Sequence, residues 1–266
     1  MIDGATRVFA ILGDPVAHSL SPTMHNAAFR ALGLRATYVP LRCSGDDLPL
    51  LIGALTRAGG GGNVTVPHKE AAARAVDRCS SEVRLLGACN TFWADESGSV
   101  GENTDVSGIG AALDTLEAPS GPWLVLGTGG TARAVAGAAR GRGVAMAAAS
   151  RSAERRDRFQ AWAQGIGVPA APPDDCTVVI NTTPLGLEPG QPLPIDRPPH
   201  QAAVALDMVY TRGETAWVRA MRSAGLRAGD GRVMLVAQGA AAFRCWFPGL
   251  TPPVDLMRGV VDAALR

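Results

Sequence analysis

Two charged residues stand where simple helix rules leave them unexplained. Pro67-His68-Lys69 opens a predicted helix that runs to about Val76, so Lys69 falls in its first turn. A cation there opposes the helix dipole at a cost of about 0.3–1 kcal/mol. Lys69 is therefore either a surface lysine that tolerates the cost or an ammonium used in acid–base chemistry. Asp105 precedes a helix predicted from Val106 to about Leu116. It reads as the N-cap of that helix, or as a carboxylate kept for chemistry. Ser19 and Ser21 lie before a third helix, predicted to end near Leu32 at Gly33. Ser21-Pro22 has the form of an N-cap with proline at the first helical position. Ser19 is surplus to that cap, and two hydroxyls at one helix start could also hold a small anion.

A second group has a different chemistry. Trp123 to Leu126 is a short apolar run, followed by Gly127-Thr128-Gly129-Gly130-Thr131-Ala132 and a small-residue helix to about Arg140. Strand, glycine turn and helix in that order form a dinucleotide-binding turn. Gly127 permits the tight turn, Gly129 lets backbone approach a pyrophosphate, and Ala132 lets helix and strand pack closely. The free N–H groups at the helix start would face the phosphates. An ordinary strand-to-helix turn is the plainer alternative. The next strand, Val144 to Ala149, ends about 20 residues after the glycines, where an acid would grip a ribose 2′-hydroxyl. No acid is there. Ser150, Arg151, Ser152, Arg155 and Arg156 are. Arginines and hydroxyls at that point suit a 2′-phosphate, so the turn reads as one for NADP rather than NAD, against the alternative of a solvent-facing basic loop.

The elements that must position these groups alternate. Strands are expected at Val8–Leu12, Thr37–Leu41, Asn63–Val66 and Leu86–Trp93, with a hairpin-like turn at Gly98. Helices are expected at Leu48–Ala58, ended by Gly59 to Gly62, and at the positions above. Further strands are expected at Cys176–Ile180 and Ala203–Asp207, and helices at Thr215–Ala224, from Val233 and at Val254–Leu265. Alternation of this kind predicts a mostly parallel sheet. Pro119-Ser-Gly-Pro122 is the best linker.

The chain has 266 residues, 47% hydrophobic and 18% charged, with net charge +1. That balance offers no bulk attraction to nucleic acid or anionic membrane. No apolar run approaches the roughly 18 residues of a membrane span. The first residues lack the pattern of a signal peptide, which predicts a cytoplasmic protein. The five cysteines (Cys43, Cys79, Cys89, Cys176 and Cys245) are odd in number and widely spaced, as reduced packing thiols are. The four histidines lack zinc-type spacing, so no metal is expected.

With these segments placed, the sequence resembles the shikimate dehydrogenase family over almost its whole length. The resemblance is carried, in order, by Ala17-His-Ser-Leu-Ser-Pro22, Asn63-Val-Thr-Val-Pro-His-Lys69, Gly87-Ala-Cys-Asn90-Thr91 and Asn103-Thr-Asp105. Gly127 to Ala132, Asn181-Thr-Thr-Pro-Leu-Gly186 and Met234-Leu-Val-Ala-Gln-Gly239 complete it. It implies reversible reduction of 3-dehydroshikimate by NADPH. It implies Lys69 and Asp105 as the catalytic pair, Ser19 and Ser21 on the substrate carboxylate, and Thr65, Asn90, Asp105 and Gln238 on ring hydroxyls, with Tyr210 beside the ring. On the cofactor side it implies Gly127 to Thr131, Ser150 to Arg155, Thr182, Met208 and Gly231.

The expected fold is a two-lobed α/β enzyme. Residues 1–102 form a mostly parallel α/β substrate domain, 103–236 a Rossmann-type NADP domain, and the helices of 237–266 return to the first. A homodimer is allowed by the sequence and not required by it. Two rivals stand beside this reading. One is a relative acting on quinate or an amino analogue of shikimate. The other is a non-catalytic NADP sensor, which would be expected to lose the Lys69–Asp105 pair.

Overall fold

The computed structural model describes residues 2–188 and 190–266, and in it the chain separates into two compact units. The first unit opens with β1 (Arg7–Gly13), α1 (Ser21–Ala31), β2 (Ala36–Arg42), α2 (Leu48–Arg57) and β3 (Gly61–Val64). It continues through α3 (Lys69–Ala75), β4 (Arg78–Cys79), α4 (Ser81–Leu86), β5 (Thr91–Asp95) and β6 (Gly98–Glu102) into α5 (Asp105–Thr115). The second unit holds β7 (Trp123–Leu126), α6 (Gly130–Arg142), β8 (Met146–Ala149), α7 (Ala153–Gly165), β9 (Val178–Asn181), β10 (Val204–Asp207), α8 (Ala216–Ser223) and β11 (Arg227–Gly229). The last helices are α9 (Arg232–Trp246) and α10 (Val254–Ala264). The division between units falls inside α5, after Gly108, and inside α9, after Met234, so Leu235–Ala264 belongs with the first unit.

The first sheet has the order β2-β1-β3-β5-β6-β4. β1 runs parallel to β2 and β3, while β3, β5 and β6 pair antiparallel and β4 joins β6 in parallel. The second sheet is parallel throughout, in the order β11-β10-β9-β7-β8. Strands buried on both faces must be apolar along their length, and Phe9 to Leu12, Trp123 to Leu126 and Val178 to Ile180 are. On one face of the first sheet, Leu48, Ile52 and Leu55 of α2 pack onto Ala10, Leu12, Val64 and Phe92. The ring of Phe9 meets Phe29, Trp246 and Phe247, tying α1 and the end of α9 to the sheet. The Trp246 indole N–H donates to the Phe92 carbonyl at 3.2 Å.

Three expectations need correction. The strand expected at Asn63–Val66 lies at Gly61–Val64. The glycines before it were read only as a helix stop, yet a Cβ on Gly62 would lie 2.1 Å from the Ala10 carbonyl oxygen and 3.0 Å from the Phe92 ring. Close approach of neighbouring strands, rather than a turn, demands glycine there. Leu86–Asn90 is not strand: Leu86 ends α4, Gly87 closes it in the left-handed conformation at φ 64°, and β5 starts only at Thr91. Ser80 caps α4 by accepting the Val83 N–H at 3.1 Å, a local signal the strand reading overrode. Finally, Arg155 and Arg156 belong to the first turn of α7, capped by Ser152, rather than to a loop.

Asp207 ends β10 with its side chain fully buried. It accepts from the Asn181 amide at 2.8 Å, the Thr215 hydroxyl at 2.8 Å and the Val209 N–H at 3.1 Å, joining three segments of the second unit. Burial outweighs these donors and pushes the carboxyl up to about 6.

Two stability measurements check this description. Gly62→Ala must displace backbone in the middle of a sheet and should cost about 3 kcal/mol or more. Gly259→Ala lies within α10 with nothing within 4 Å of the new Cβ, and should stabilise by about 0.5–1 kcal/mol. Urea midpoints that fall for both, or for neither, would contradict the packing. For Asp207 the folded carboxyl is raised above its ordinary value of 3.8. Its contribution to stability is therefore full below that value and is lost as pH rises through about 6. Denaturant titrations between these limits should show the loss in the wild type and not in Asp207→Asn.

Candidate active site

Lys69 is the first residue of α3 and Asp105 the first of α5, so two helix starts bring the pair together. The Lys69 ammonium donates to Asp105 Oδ2 at 2.5 Å, with side chains only 10% and 4% exposed. A carboxylate suits the positive end of α5, and an ammonium does not suit that of α3. The buried contact supplies what the helix dipole denies. Both plain alternatives are thereby corrected. Lys69 is not a surface lysine, and Asp105 lies inside its helix with both carboxylate oxygens committed. The second oxygen, Oδ1, accepts the Asn90 side-chain N–H at 2.7 Å. The backbone is pinned as well: the Lys69 carbonyl accepts the Cys89 N–H at 2.8 Å. The ring of His68, one residue earlier, lies 2.9 Å from the Cys43 carbonyl through Nε2.

Gln238 comes from α9, far along the chain, yet its Oε1 lies 3.5 Å from Asn90 Nδ2 while its own amide donates to the Leu235 carbonyl at 2.9 Å. Asn90, Asp105, Gln238 and Lys69 are all buried, at 2%, 3%, 6% and 8% exposure. Four polar side chains buried together are costly in a core unless they are paired, and the contacts above pair them.

The serine pair departs from the capping expectation. Leu20, not Ser21, precedes α1, and no side chain caps it. Ser19, which looked surplus, accepts the Ser21 N–H at 3.3 Å. The hydroxyls of Ser21 and of half-buried Thr65 make no hydrogen bond to described residues, and both remain available as donors. Among the buried groups beside these, His25 is held neutral, its ring pushed down to about 3 by complete burial. The Cys89 thiol is pushed up to about 12 by the same cause and packs rather than reacts.

The residues expected to hold a dinucleotide lie in the second unit. Gly127 has φ 110°, in the region that favours glycine, and a Cβ there would meet the Thr182 hydroxyl at 2.6 Å. Thr182 braces the turn by donating to the Leu126 carbonyl at 2.7 Å. Gly129 is the N-cap of the 13-residue α6, with open space where a Cβ would stand, and Thr128, Gly130 and Thr131 flank it. Ala132 is fully buried beneath the turn. At the next strand end Ser150 accepts the Ser152 N–H at 3.3 Å, and Ser152 accepts that of Arg155 at 3.2 Å. Arg156 is spent on Asp157 and Arg158 on Glu154. The guanidinium groups of Arg151 and Arg155 are exposed and make no ion pair among the described residues. Gly231 packs against the Met208 carbonyl, which a Cβ would approach to 2.5 Å, with the Tyr210 ring at 3.4 Å. These features fit a phosphorylated dinucleotide: an open helix start, a turn only glycine can make, and two uncommitted arginines.

The structure thus gathers Lys69, Asp105, Asn90, Gln238, Ser19, Ser21 and Thr65 in the first unit, and every expected cofactor residue in the second, with Tyr210 among the latter. It also adds residues that sequence reasoning left as motif filler. Asn63, Thr91 and Thr104 are buried and hydrogen-bonded around Asn90. For Asn63 and Thr91 the signal was a polar residue next to Val64 and to Phe92-Trp93, whereas Thr104, in the polar run Glu102–Asp105, carried none. Asp207, an acid closing the apolar run Val204–Leu206, carried a similar signal.

The chain matches the family described as shikimate dehydrogenase substrate binding domain over residues 11–92. It matches the shikimate 5'-dehydrogenase C-terminal domain over residues 231–261. It is 39% identical to the shikimate dehydrogenase (NADP(+)) of Acidiphilium cryptum, over 96% of this chain and 95% of the relative. It is 41% identical to that of Methanothrix thermoacetophila, over 97% and 98%. The solved structure of the Thermus thermophilus shikimate 5-dehydrogenase in complex with NADP(H) and shikimate superposes with a TM-score of 0.86 at 38% identity, covering 97% of this chain and 99% of that one. With such identity over nearly the full length of both partners, the chain belongs to the shikimate dehydrogenase family.

Proposed function

We infer that this protein is an NADP-dependent shikimate dehydrogenase, catalysing the reversible reduction of 3-dehydroshikimate to shikimate. The observation that carries the reading is the buried Lys69–Asp105 pair, ringed by Asn90 and Gln238, in a chain of this family. A polyol substrate needs matched hydrogen-bond partners, because a site built for a hydroxyl rejects analogues that lack it. Under this reading the first unit binds the substrate and the second binds NADP. The five cysteines are free thiols, which suits a cytoplasmic setting. No described helix is long and apolar enough to cross a membrane. The reading requires no nucleic acid partner and allows a homodimer.

Bound NADPH supplies a hydride to the carbonyl carbon of the substrate. The oxygen then carries the charge of an alkoxide, and the Lys69 ammonium stabilises it and delivers the proton. Water restores the proton to Lys69. In the oxidative direction the Lys69 nitrogen would take the hydroxyl proton, and NADP+, when bound, would accept the hydride. Asp105 holds the ammonium and a ring hydroxyl in register, which keeps the proton donor aimed at one oxygen. Asn90, Gln238 and Thr65 accept and donate to the remaining hydroxyls, and Ser19 and Ser21 receive the carboxylate. Gly127 to Thr131 with Thr182 would hold the pyrophosphate and Ser150, Arg151, Ser152 and Arg155 the 2′-phosphate, with Met208 and Gly231 on the same cofactor side.

Three measurements test these roles. An absorbance assay at the NADPH band should give turnover with shikimate well above quinate or aminoshikimate, and no turnover with any of them would end the reading. Lys69→Ala should lower kcat by about 10²–10⁴, with a much smaller change in KM, since the donor acts mainly in the transition state. Near wild-type kcat would restore a merely structural lysine. Arg151→Ala should raise the KM for NADP by roughly tenfold to a hundredfold, the worth of charged hydrogen bonds, and leave that for NAD nearly unchanged. Equal efficiency of the wild type with NAD and NADP would refute the 2′-phosphate assignment.

A further inference from the structure

A continuous file of buried hydrogen bonds runs from β2 to the Asp105 carboxylate. The Tyr38 hydroxyl donates to Asn63 Oδ1 at 2.8 Å, and Asn63 Nδ2 donates to the Thr91 hydroxyl at 3.0 Å. The hydroxyls of Thr91 and Thr104 are 2.9 Å apart, and both lie within reach of Asn90 Oδ1, at 3.1 and 3.2 Å. Asn90 Nδ2 then donates to Asp105 Oδ1 at 2.7 Å. Every member is at most 4% exposed.

The direction of the file is set by two backbone groups whose roles cannot reverse. The Asn90 carbonyl can only accept, and it takes Asn63 Nδ2 at 3.2 Å. That turns Asn63 Oδ1 toward Tyr38, which must then donate. The Thr104 N–H can only donate, and it meets Asn90 Oδ1 at 2.8 Å. A flipped Asn90 would set donor against donor at Thr104 and oxygen against carboxylate at Asp105. The two threonines hold one hydroxyl proton each. However these are shared between the pair, at least one falls on Asn90 Oδ1. Aligned hydrogen bonds polarise one another in a low-dielectric interior, so the whole file presents donors to Asp105.

We propose that Thr91 and Thr104, with Asn63 and Tyr38 behind them, are positioning residues that lock the Asn90 amide with its N–H on Asp105, and so hold that carboxylate aimed at Lys69. Its kinetic readouts rest on the dehydrogenase reading. Its structural readout does not.

The test uses Thr91→Val and Thr104→Val, which keep shape and remove the hydroxyl, and Thr91→Ser and Thr104→Ser, which keep the hydroxyl. Each valine variant should lower kcat/KM for shikimate about three- to tenfold, the worth of one hydrogen bond. The KM for NADP should hold. Each serine variant should restore the rate. Tyr38→Phe, which keeps the ring stacked on His25 at 4.7 Å, should lower kcat/KM by less. It serves if a valine variant fails to fold. In 15N-labelled protein without ligand, the Asn90 side-chain amide should exchange with solvent faster in the valine and phenylalanine variants than in the wild type. Unchanged exchange and unchanged kcat/KM in folded variants would overturn the proposal, as would serine variants as impaired as the valines. Inactive wild type with the exchange effect intact would instead overturn the dehydrogenase reading and leave the positioning role standing.

Discussion

The contact on which the proposed chemistry depends is one ion pair between two helix starts. An ammonium in the first turn of α3 is held out of water and against a helix dipole. It is tolerable only because Asp105 lies 2.5 Å away. Removing one partner from such a buried pair typically costs about 3–5 kcal/mol, since the other charge is left uncompensated. The pair is therefore both a structural tie between α3 and α5 and a charged donor kept dry. Dryness matters for catalysis, because a charge acts more strongly where water does not screen it.

Around that pair, the first unit pairs rigid backbone with sparing use of polar side chains. The glycines of β3 let neighbouring strands close to distances no Cβ would permit. The aromatic cluster of Phe9, Phe29, Trp246 and Phe247 fastens the end of α9 to the same sheet. That fastening carries Gln238 to Asn90 across 148 residues of chain. The site stands on strand ends and helix starts, which hold side chains more precisely than free loops do.

The second unit works by different means. Its sheet is parallel and apolar, and its function lies in backbone shape at strand ends. Gly127 turns, Thr182 braces the turn, and α6 presents its free N–H groups. Asp207 joins the loops after β9 and β10 to α8 from within the core. Under the proposed reading, selectivity for a phosphate is left to Arg151 and Arg155, which are exposed and make no ion pair among the described residues.

Much of this was legible in the residues themselves. Apolar runs bounded by glycine and proline placed nearly every strand of the second unit, because a buried parallel strand has to be apolar along its length. Lys69 announced itself by breaking a helix rule, and Ser150 to Arg155 by replacing an expected acid. The motif order pointed to the family. What only the tertiary structure decided was which polar groups meet. Ser21 read as a cap, and in the fold its neighbour Ser19 takes the N–H instead. The glycines before Asn63 read as a helix stop, and in the fold they admit a neighbouring strand. Thr91, Thr104 and Asn63 read as motif filler, and in the fold they set the direction of one amide. Local propensity depends on residues a few positions apart and is written in the sequence. The partner of a buried hydrogen bond, as with Asn63 and Thr91 or Asn90 and Gln238, is chosen by strand register and helix packing between distant segments.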